Sequence, residues 1–446
     1  MSGDGASCLS RAAGAPVRCL SSKHNARRPA RTNAVPVHSV CKALSVSQRL
    51  GSGIWSFPAR SDVVSWKAKQ DISTLEPIPS ENRRPYFHSL EPPSLYDSFL
   101  AHPPEGFEAR RLSTSGGTVP IFRTRFDLLT TLDETVKRWV YRIPLFKTVS
   151  RVALCPWVLF CGTTVSEYTV MPTTTIPADL VRAVLVEMKA SRSTVAIIKD
   201  VPDRSPLLTE EENAVAAQLL AACRAEGMAI VEGQALAYVP IDFKTEEEYL
   251  ARFSGKRRYD FRRKLKSRPQ VQRRILPTGD PQFSDDLFVD ALYAMYESVY
   301  RQSEIHFDKL SRSFFADVFR CSKSDGLVFL YRSSEKMIGW KLCFVHGGNL
   351  IDKYVGFVYP AAHETHLYFL SWFDCLAYAV QHRLENYVVG WTDAAVKSYL
   401  GARFTLTRHA VYLRNPLLRG IFQCFQRYFE SDAKLVSVPD GGGVAT

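Results

Sequence analysis

Gly390-Trp-Thr-Asp-Ala-Ala-Val-Lys397-Ser-Tyr-Leu-Gly401-Ala402 follows a short β-rich run, Tyr387-Val388-Val389. Asp393 to Leu400 has the length of a short helix, and Gly401 stands where a helix ends in a left-handed residue. Upstream, Leu327–Tyr331, Met337–Phe344 and Leu350–Phe357 are apolar and β-rich. His346-Gly347-Gly348-Asn349 separates the last two and reads as a hairpin turn. An aromatic helix is predicted from Glu364 to His382. Strands and helices alternating with short connections make an α/β unit around one sheet.

Outward from this unit, Phe404–Leu413 reads as a strand, and Asn415-Pro416 opens a helix to Phe429. Leu417, Leu418, Ile421, Phe422 and Phe425 give that helix an apolar face, flanked by Arg414, Arg419 and Arg427. Such a helix docks on a core or makes a peripheral membrane contact. On the amino-terminal side, Ser313–Phe319 starts one helix, and Asp290–Gln302 carries Leu292, Met295, Tyr296 and Val299 on one face. Before them, Thr245 caps a short helix and Ser254 opens a basic one. Arg252 to Arg274 holds eleven Lys/Arg and one Asp, and Pro269 stops the helix near Ser267.

The first half reads similarly. Val119–Arg123, Val152–Cys161, Thr194–Lys199, Met228–Val231 and Leu236–Val239 are predicted strands. Helices are predicted over Leu132–Tyr141, from Pro177 to Lys189, and from the capping box Thr209-Glu-Glu-Glu212 to Arg224, with Gly227 ending the last. The expected division is therefore a basic, disordered segment over 1–84, an amino-terminal half over 85–245, a carboxyl-terminal half over 246–430 and a disordered tail over 431–446.

The chain has 446 residues, 46% hydrophobic and 12% aromatic, and a net charge of +12. That allows two or three domains with sizeable cores. The first 75 residues hold eleven Lys/Arg against three Asp/Glu, so much of the charge sits there. The same composition fits an organelle transit peptide; without one, the chain reads as cytoplasmic. No apolar run is long enough for a transmembrane helix. The ten cysteines include no Cys-x-x-Cys pair, a pattern of reduced core thiols. His363 and His366 are the closest histidine pair and lack a third ligand, so no metal site is expected. The sequence does not set the oligomeric state.

Three blocks carry a family resemblance: Gly390-x-Thr392 with Lys397, Gly401 and Ala402; the basic block around Lys256 and Arg262; and Tyr354-Val-Gly356-Phe before the long helix. Together they resemble the FemAB-like branch of the GNAT acyltransferase superfamily. The resemblance implies an α/β fold with two tandem GNAT-like halves, each a mixed sheet flanked by helices. It also implies N-acyltransferase activity: acetyl, acyl or aminoacyl transfer to an amino group. Acyl-CoA or aminoacyl-tRNA would be the donor. The acceptor would be a small or phosphorylated molecule, with tRNA as a candidate partner. One departure stands out. Tyr359-Pro-Ala-Ala-His-Glu-Thr lacks the glycines with which acetyl-CoA-dependent members hold pyrophosphate. The alternative is a GNAT-fold protein without catalysis that binds an anionic ligand: a nucleotide, RNA or acidic lipid.

Clustered like charge on the basic helix suits anion binding, and Lys256, Arg258 and Arg262 are the candidates there. Lys397, just past a strand end, is the candidate for anchoring an anionic group of a substrate. Amide formation needs a proton acceptor for the amine and a donor for the leaving group. Strict alternation along Leu350–Phe357 would put Asp352 and Tyr354 on one face, and the resemblance to GNAT-like enzymes implies a backbone N–H in this strand that polarises the acyl carbonyl. Asp352 is the candidate base and Tyr354 the candidate acid. The competing reading pairs Asp352 with a neighbouring Lys or Arg and buries Tyr354 in the core.

Overall fold

The computed structural model describes residues 86–126, 155–302 and 308–425, with side chains through Gly420. All lie in the larger of two units, Ser61–Thr446. The segment 1–84, the expected helix at Leu132–Tyr141 and the tail 431–446 fall outside the described residues.

The strands are β1 (Tyr86–Phe87), β2 (Glu108–Thr114), β3 (Gly117–Arg125), β4 (Trp157–Cys161), β5 (Met171–Pro172), β6 (Val195–Pro202), β7 (Ala229–Pro240), β8 (Gln272–Pro277), β9 (Gly326–Ser333), β10 (Lys336–His346), β11 (Asn349–Phe357), β12 (Asn386–Gly390) and β13 (Arg403–Leu413). The helices are α1 (Pro93–Ala101), α2 (Pro177–Ala190), α3 (Glu210–Ala225), α4 (Glu246–Ala251), α5 (Gly255–Leu265), α6 (Asp286–Tyr300), α7 (Arg312–Arg320), α8 (Ala361–Glu364), α9 (Leu367–Gln381), α10 (Ala394–Leu400) and α11 (Pro416–Phe425).

Eleven strands form one mixed sheet in the order β2-β3-β4-β6-β13-β7-β12-β11-β10-β9-β8. Only β4 with β6 and β11 with β12 run parallel within it. Each parallel pair needs a crossover, supplied by α2 in the first case and by α8 and α9 in the second. The middle is interlocked. β13, from the end of the chain, lies between β6 and β7, while β7 lies between β12 and β13. Outward from there, each side shows a parallel pair and then antiparallel strands. The two sides are one continuous sheet.

Alternation along the strands sorts the core onto the two faces. Near the carboxyl-terminal parallel pair, Leu350, Tyr387 and Val389 face the aromatic side chains of α9 and Phe261 of α5. On the other face, α1, α6 and α7 cover Phe122, Val158 and Phe160 from one side of the sheet and Leu330, Trp340 and Leu342 from the other. One core therefore spans both parts of the chain. α2 and α3 cover Leu159, Cys161, Ala196 and Ile198.

Local chemistry sets the helix ends. Thr209 and Glu212 form the expected capping box on α3. Ser254 accepts from the Arg257 N–H at the start of α5. Gly401 ends α10 at φ 100°, and a Cβ there would come within 2.7 Å of Phe253 and Tyr249 side-chain atoms. Three expectations change. Met228–Val231 and Leu236–Val239 belong to one strand, β7, because β13 pairs along both parts of it. The aromatic helix is divided at His366, whose φ is 53°. α6 begins at Asp286, where Asp285 caps the Leu287 N–H, ahead of the expected Asp290. β2, β8 and α1 were not expected; β8 carries Arg273 and Arg274 and lacks an apolar run.

Candidate active site

β11 and β12 pair only over Asn349–Ile351 and Asn386–Val388. Beyond this, β11 continues to Phe357 while β12 stops at Gly390. Among the described residues, the later backbone groups of β11 therefore have no ladder partner on the β12 side. The gap opens at the carboxyl end of a parallel pair, the usual ligand position in an α/β sheet.

A bulge sets what faces this gap. Cys343 opposes Asp352 and Leu342 opposes Tyr354, which leaves Lys353 as the extra residue. Asp352 points to the α9 side, where its Oδ2 accepts from Lys341 Nζ at 2.7 Å and from the Tyr387 hydroxyl at 2.8 Å. Lys353 and Tyr354 both point to the other side. Tyr354 packs edge-on against Tyr296, Phe314 and Phe315. The shared face expected for Asp352 and Tyr354 is thus corrected: the bulge adds a residue and breaks the period of two between them.

On the α9 side, Lys341 is fully buried and also donates to the Tyr387 hydroxyl at 3.1 Å. Burial opposes its charge, but the Asp352 carboxylate outweighs burial and pushes its pKa up. On the other side, Lys353 Nζ lies 2.6 Å from Glu167 Oε1 and 3.1 Å from Glu91 Oε1. Glu91 Oε1 also accepts from the Glu167 backbone N–H at 2.7 Å. Burial pushes the Glu167 carboxyl up from its ordinary value, against the pull of Lys353. Its second oxygen, Oε2, is buried and has no hydrogen-bond partner among the described residues.

Lys397 stands where the two sides meet. It is 5% exposed. The position of a Cβ on Gly390 would lie 3.9 Å from Lys397 Nζ and 3.9 Å from Glu167 Oε1. Lys397 Nζ makes no hydrogen bond or ion pair to any described residue. Burial pushes its pKa down to about 8, against the upward pull of Asp352, Glu167 and Asp393. The gap thus holds an unpartnered amine between two carboxylates on opposite sides of the sheet.

The basic helix α5 is elsewhere. Its Phe261 docks between Phe253, Phe369, Phe373 and Tyr399. Lys256 and Arg262 are exposed and Arg258 is half-buried. No hydrogen bond joins any of the three to Asp352, Tyr354 or Lys397. α5 reaches α10 through Asp260, which accepts from the Tyr399 hydroxyl at 2.9 Å. Tyr259, two residues before Phe261 on the same helix, is 73% exposed.

Sequence reasoning named Asp352 and Lys397 as candidates but not Lys341, Lys353, Tyr387, Glu91 and Glu167, which the fold brings close to them. Lys341 had a readable signal: a single charge between Trp340 and Leu342 in an apolar strand. Glu91 and Glu167 had none, since they sit in irregular segments and meet Lys353 only through the fold. Among the described residues no cluster of three or more His, Cys, Asp or Glu side chains could hold a metal ion. No described helix is long and apolar enough to cross a membrane.

With this geometry in place, comparison identifies the family. The model of FemAB-like proteins, described as peptidoglycan biosynthesis/recognition, matches residues 181–435. That is more than half of the chain, which belongs to this family. No curated protein sequence matches it. Among solved structures, L-PGS from Bacillus licheniformis is 11% identical, with 76% of this chain and 98% of that one covered, at a TM-score of 0.44. FemX is 12% identical, with 78% and 95% covered, at 0.43. A tandem GNAT protein from the clavulanic acid biosynthesis pathway is 12% identical, with 72% and 88% covered, at 0.37. Scores this low carry no argument about the site.

Proposed function

We propose that this chain is an N-acyltransferase that moves an acyl or aminoacyl group to an amino group, with the reaction in the gap between β11 and β12. The observation carrying this reading is the open edge of β11 together with Lys397, whose Nζ bonds no described residue and which shares the surroundings of Gly390 with Glu167. The unpaired edge of β11 would supply N–H groups to polarise the acyl carbonyl. Glu167 Oε2 would hold the incoming amine. Asp352 is the base in this reading. Burial keeps the Tyr354 phenol protonated, the form a proton donor needs. An anionic group of donor or acceptor would stabilise the charge of Lys397 and be anchored by it. Lys256, Arg258 and Arg262 would extend that anion site on the surface. The donor is acyl-CoA or aminoacyl-tRNA. Two GNAT-like halves, 85–245 and 246–430, with β7 and β13 exchanged between them, are part of the same proposal.

A second reading has one observation of its own. Lys341 and Tyr387 occupy Asp352, and an aromatic cluster encloses Tyr354, as in a protein that binds an anionic ligand without turnover. The test is transfer of radiolabelled acyl groups from acyl-CoAs and from aminoacylated tRNA to a pool of phosphorylated amines. Wild type should transfer from one donor, and Asp352→Asn should lower turnover about 100-fold or more. Donor binding without turnover would favour the second reading. Turnover unchanged in Asp352→Asn, Tyr354→Phe and Lys397→Ala, all folded, would move the reaction away from the gap.

A further inference from the structure

The buried lysines of the site differ in what surrounds them. Lys341 Nζ is bound by Asp352 and Tyr387, and Lys353 Nζ by Glu91 and Glu167. In both, carboxylates outweigh burial and the proton is held more tightly than in water. Lys397 is only 5% exposed, yet nothing described bonds its Nζ, and a Cβ on Gly390, at the end of β12, would lie 3.9 Å from it. The charged groups acting on it are Asp352 from β11, Lys341 from β10, Glu167 from the segment after β4 and Asp393 at the start of its own helix. Together the carboxylates do not offset burial.

We propose that Lys397 is a covalent acylation site: a small activated acyl ester or thioester entering the gap transfers its acyl group to Nζ and leaves a stable amide. The neutral amine attacks the carbonyl carbon, the C–N bond forms, and the C–O or C–S bond breaks. The leaving group departs with the bonding pair, and the surplus amine proton is released to solvent. The amide nitrogen is no longer basic, so acylation removes the charge that would anchor an anion. The inference rests on the proposed function in one respect, that the gap admits acyl groups.

Selectivity follows from the fraction of neutral amine. With its pKa pushed down to about 8, Lys397 is about one-fifth neutral at pH 7.4. An ordinary exposed lysine is neutral less than about one time in a thousand. Nζ should therefore react on the order of 100 times faster than surface lysines toward a small uncharged acylating agent that reaches both.

The probe is p-nitrophenyl acetate, added to the full chain, with release of p-nitrophenolate followed in time. Hydroxylamine then strips thioesters from cysteines, and peptide mapping locates the stable acetyl groups. The expected result is a burst of about one equivalent whose rate rises with a midpoint near pH 8, with the acetyl group on Lys397. Lys397→Arg should abolish the burst, and urea should erase the preference. Acetyl groups spread over surface lysines, or absent from Lys397, would overturn the proposal. If Lys397→Arg does not fold, as circular dichroism would show, the wild-type map decides alone. This readout needs no natural donor. Absent labelling with intact acyl transfer would sink this inference alone, whereas labelling without transfer would sink only the enzymatic reading.

Discussion

Replacing Lys397 by Met should stabilise the protein near neutral pH. Lys397 has an ordinary value of 10.5 and is pushed down to about 8 in the fold. At pH 7 both folded and unfolded chains carry the proton, and the folded chain bears the full penalty of the buried charge. Two and a half units correspond to about 3 kcal/mol. Between 8 and 10.5 the folded chain releases its proton while the unfolded chain keeps it, so stability rises with pH. By pH 9.5 the remaining penalty is about 1.5 kcal/mol. Met keeps the length and apolar stem of the side chain and has no charge to bury. The diagnostic quantity is the stability difference between variant and wild type, measured by urea unfolding at pH 7 and pH 9.5. The advantage of Lys397→Met should shrink by about 2 kcal/mol across that interval. A difference independent of pH would refute the reasoning, because it would mean that Lys397 is solvated or paired. The predicted outcome also bears on function, since a buried, unpartnered cation kept at such a penalty marks a site rather than a support.

Asp352→Asn should destabilise the chain by about 3 kcal/mol or more, because it strands the buried Lys341 charge, whereas Lys341→Met with Asp352→Leu should restore most of the loss in urea unfolding. Equal losses in the single and double variants would mean that the pair is not the cause. Gly401→Ala should lower stability by about 2 kcal/mol or more, measured the same way, from the left-handed backbone and the contacts with Phe253 and Tyr249. Changing Lys256, Arg258 and Arg262 together to Gln should leave the circular dichroism spectrum unchanged, since none of the three is buried. It should weaken and flatten the salt dependence of binding to a polyanion such as heparin; an unchanged slope would show that these charges are only solvated.

Much of the scaffold was legible because it is local. The hairpin of β10 and β11, the caps at Thr209 and Ser254 and the stop at Gly401 each depend on residues close in sequence, where turn chemistry and apolar period act. The three motif blocks sufficed to indicate the FemAB-like family; one of them contains Lys397, whereas Asp352 is a candidate from strand alternation alone. The surroundings of those two residues were not legible. Whether Asp352 and Tyr354 share a face depended on one extra residue opposite Leu342 and Cys343, and a bulge is set by how two strands settle against each other. The order β6-β13-β7-β12 joined what read as two units into one sheet, since neighbouring strands there come from distant parts of the chain. The state of Lys397 was decided last of all. Its residue type and its place after a strand are written in the sequence. Its missing partner, its burial and its neighbour Glu167 exist only once segments 230 residues apart in the chain are packed together, because solvation and charge act through space.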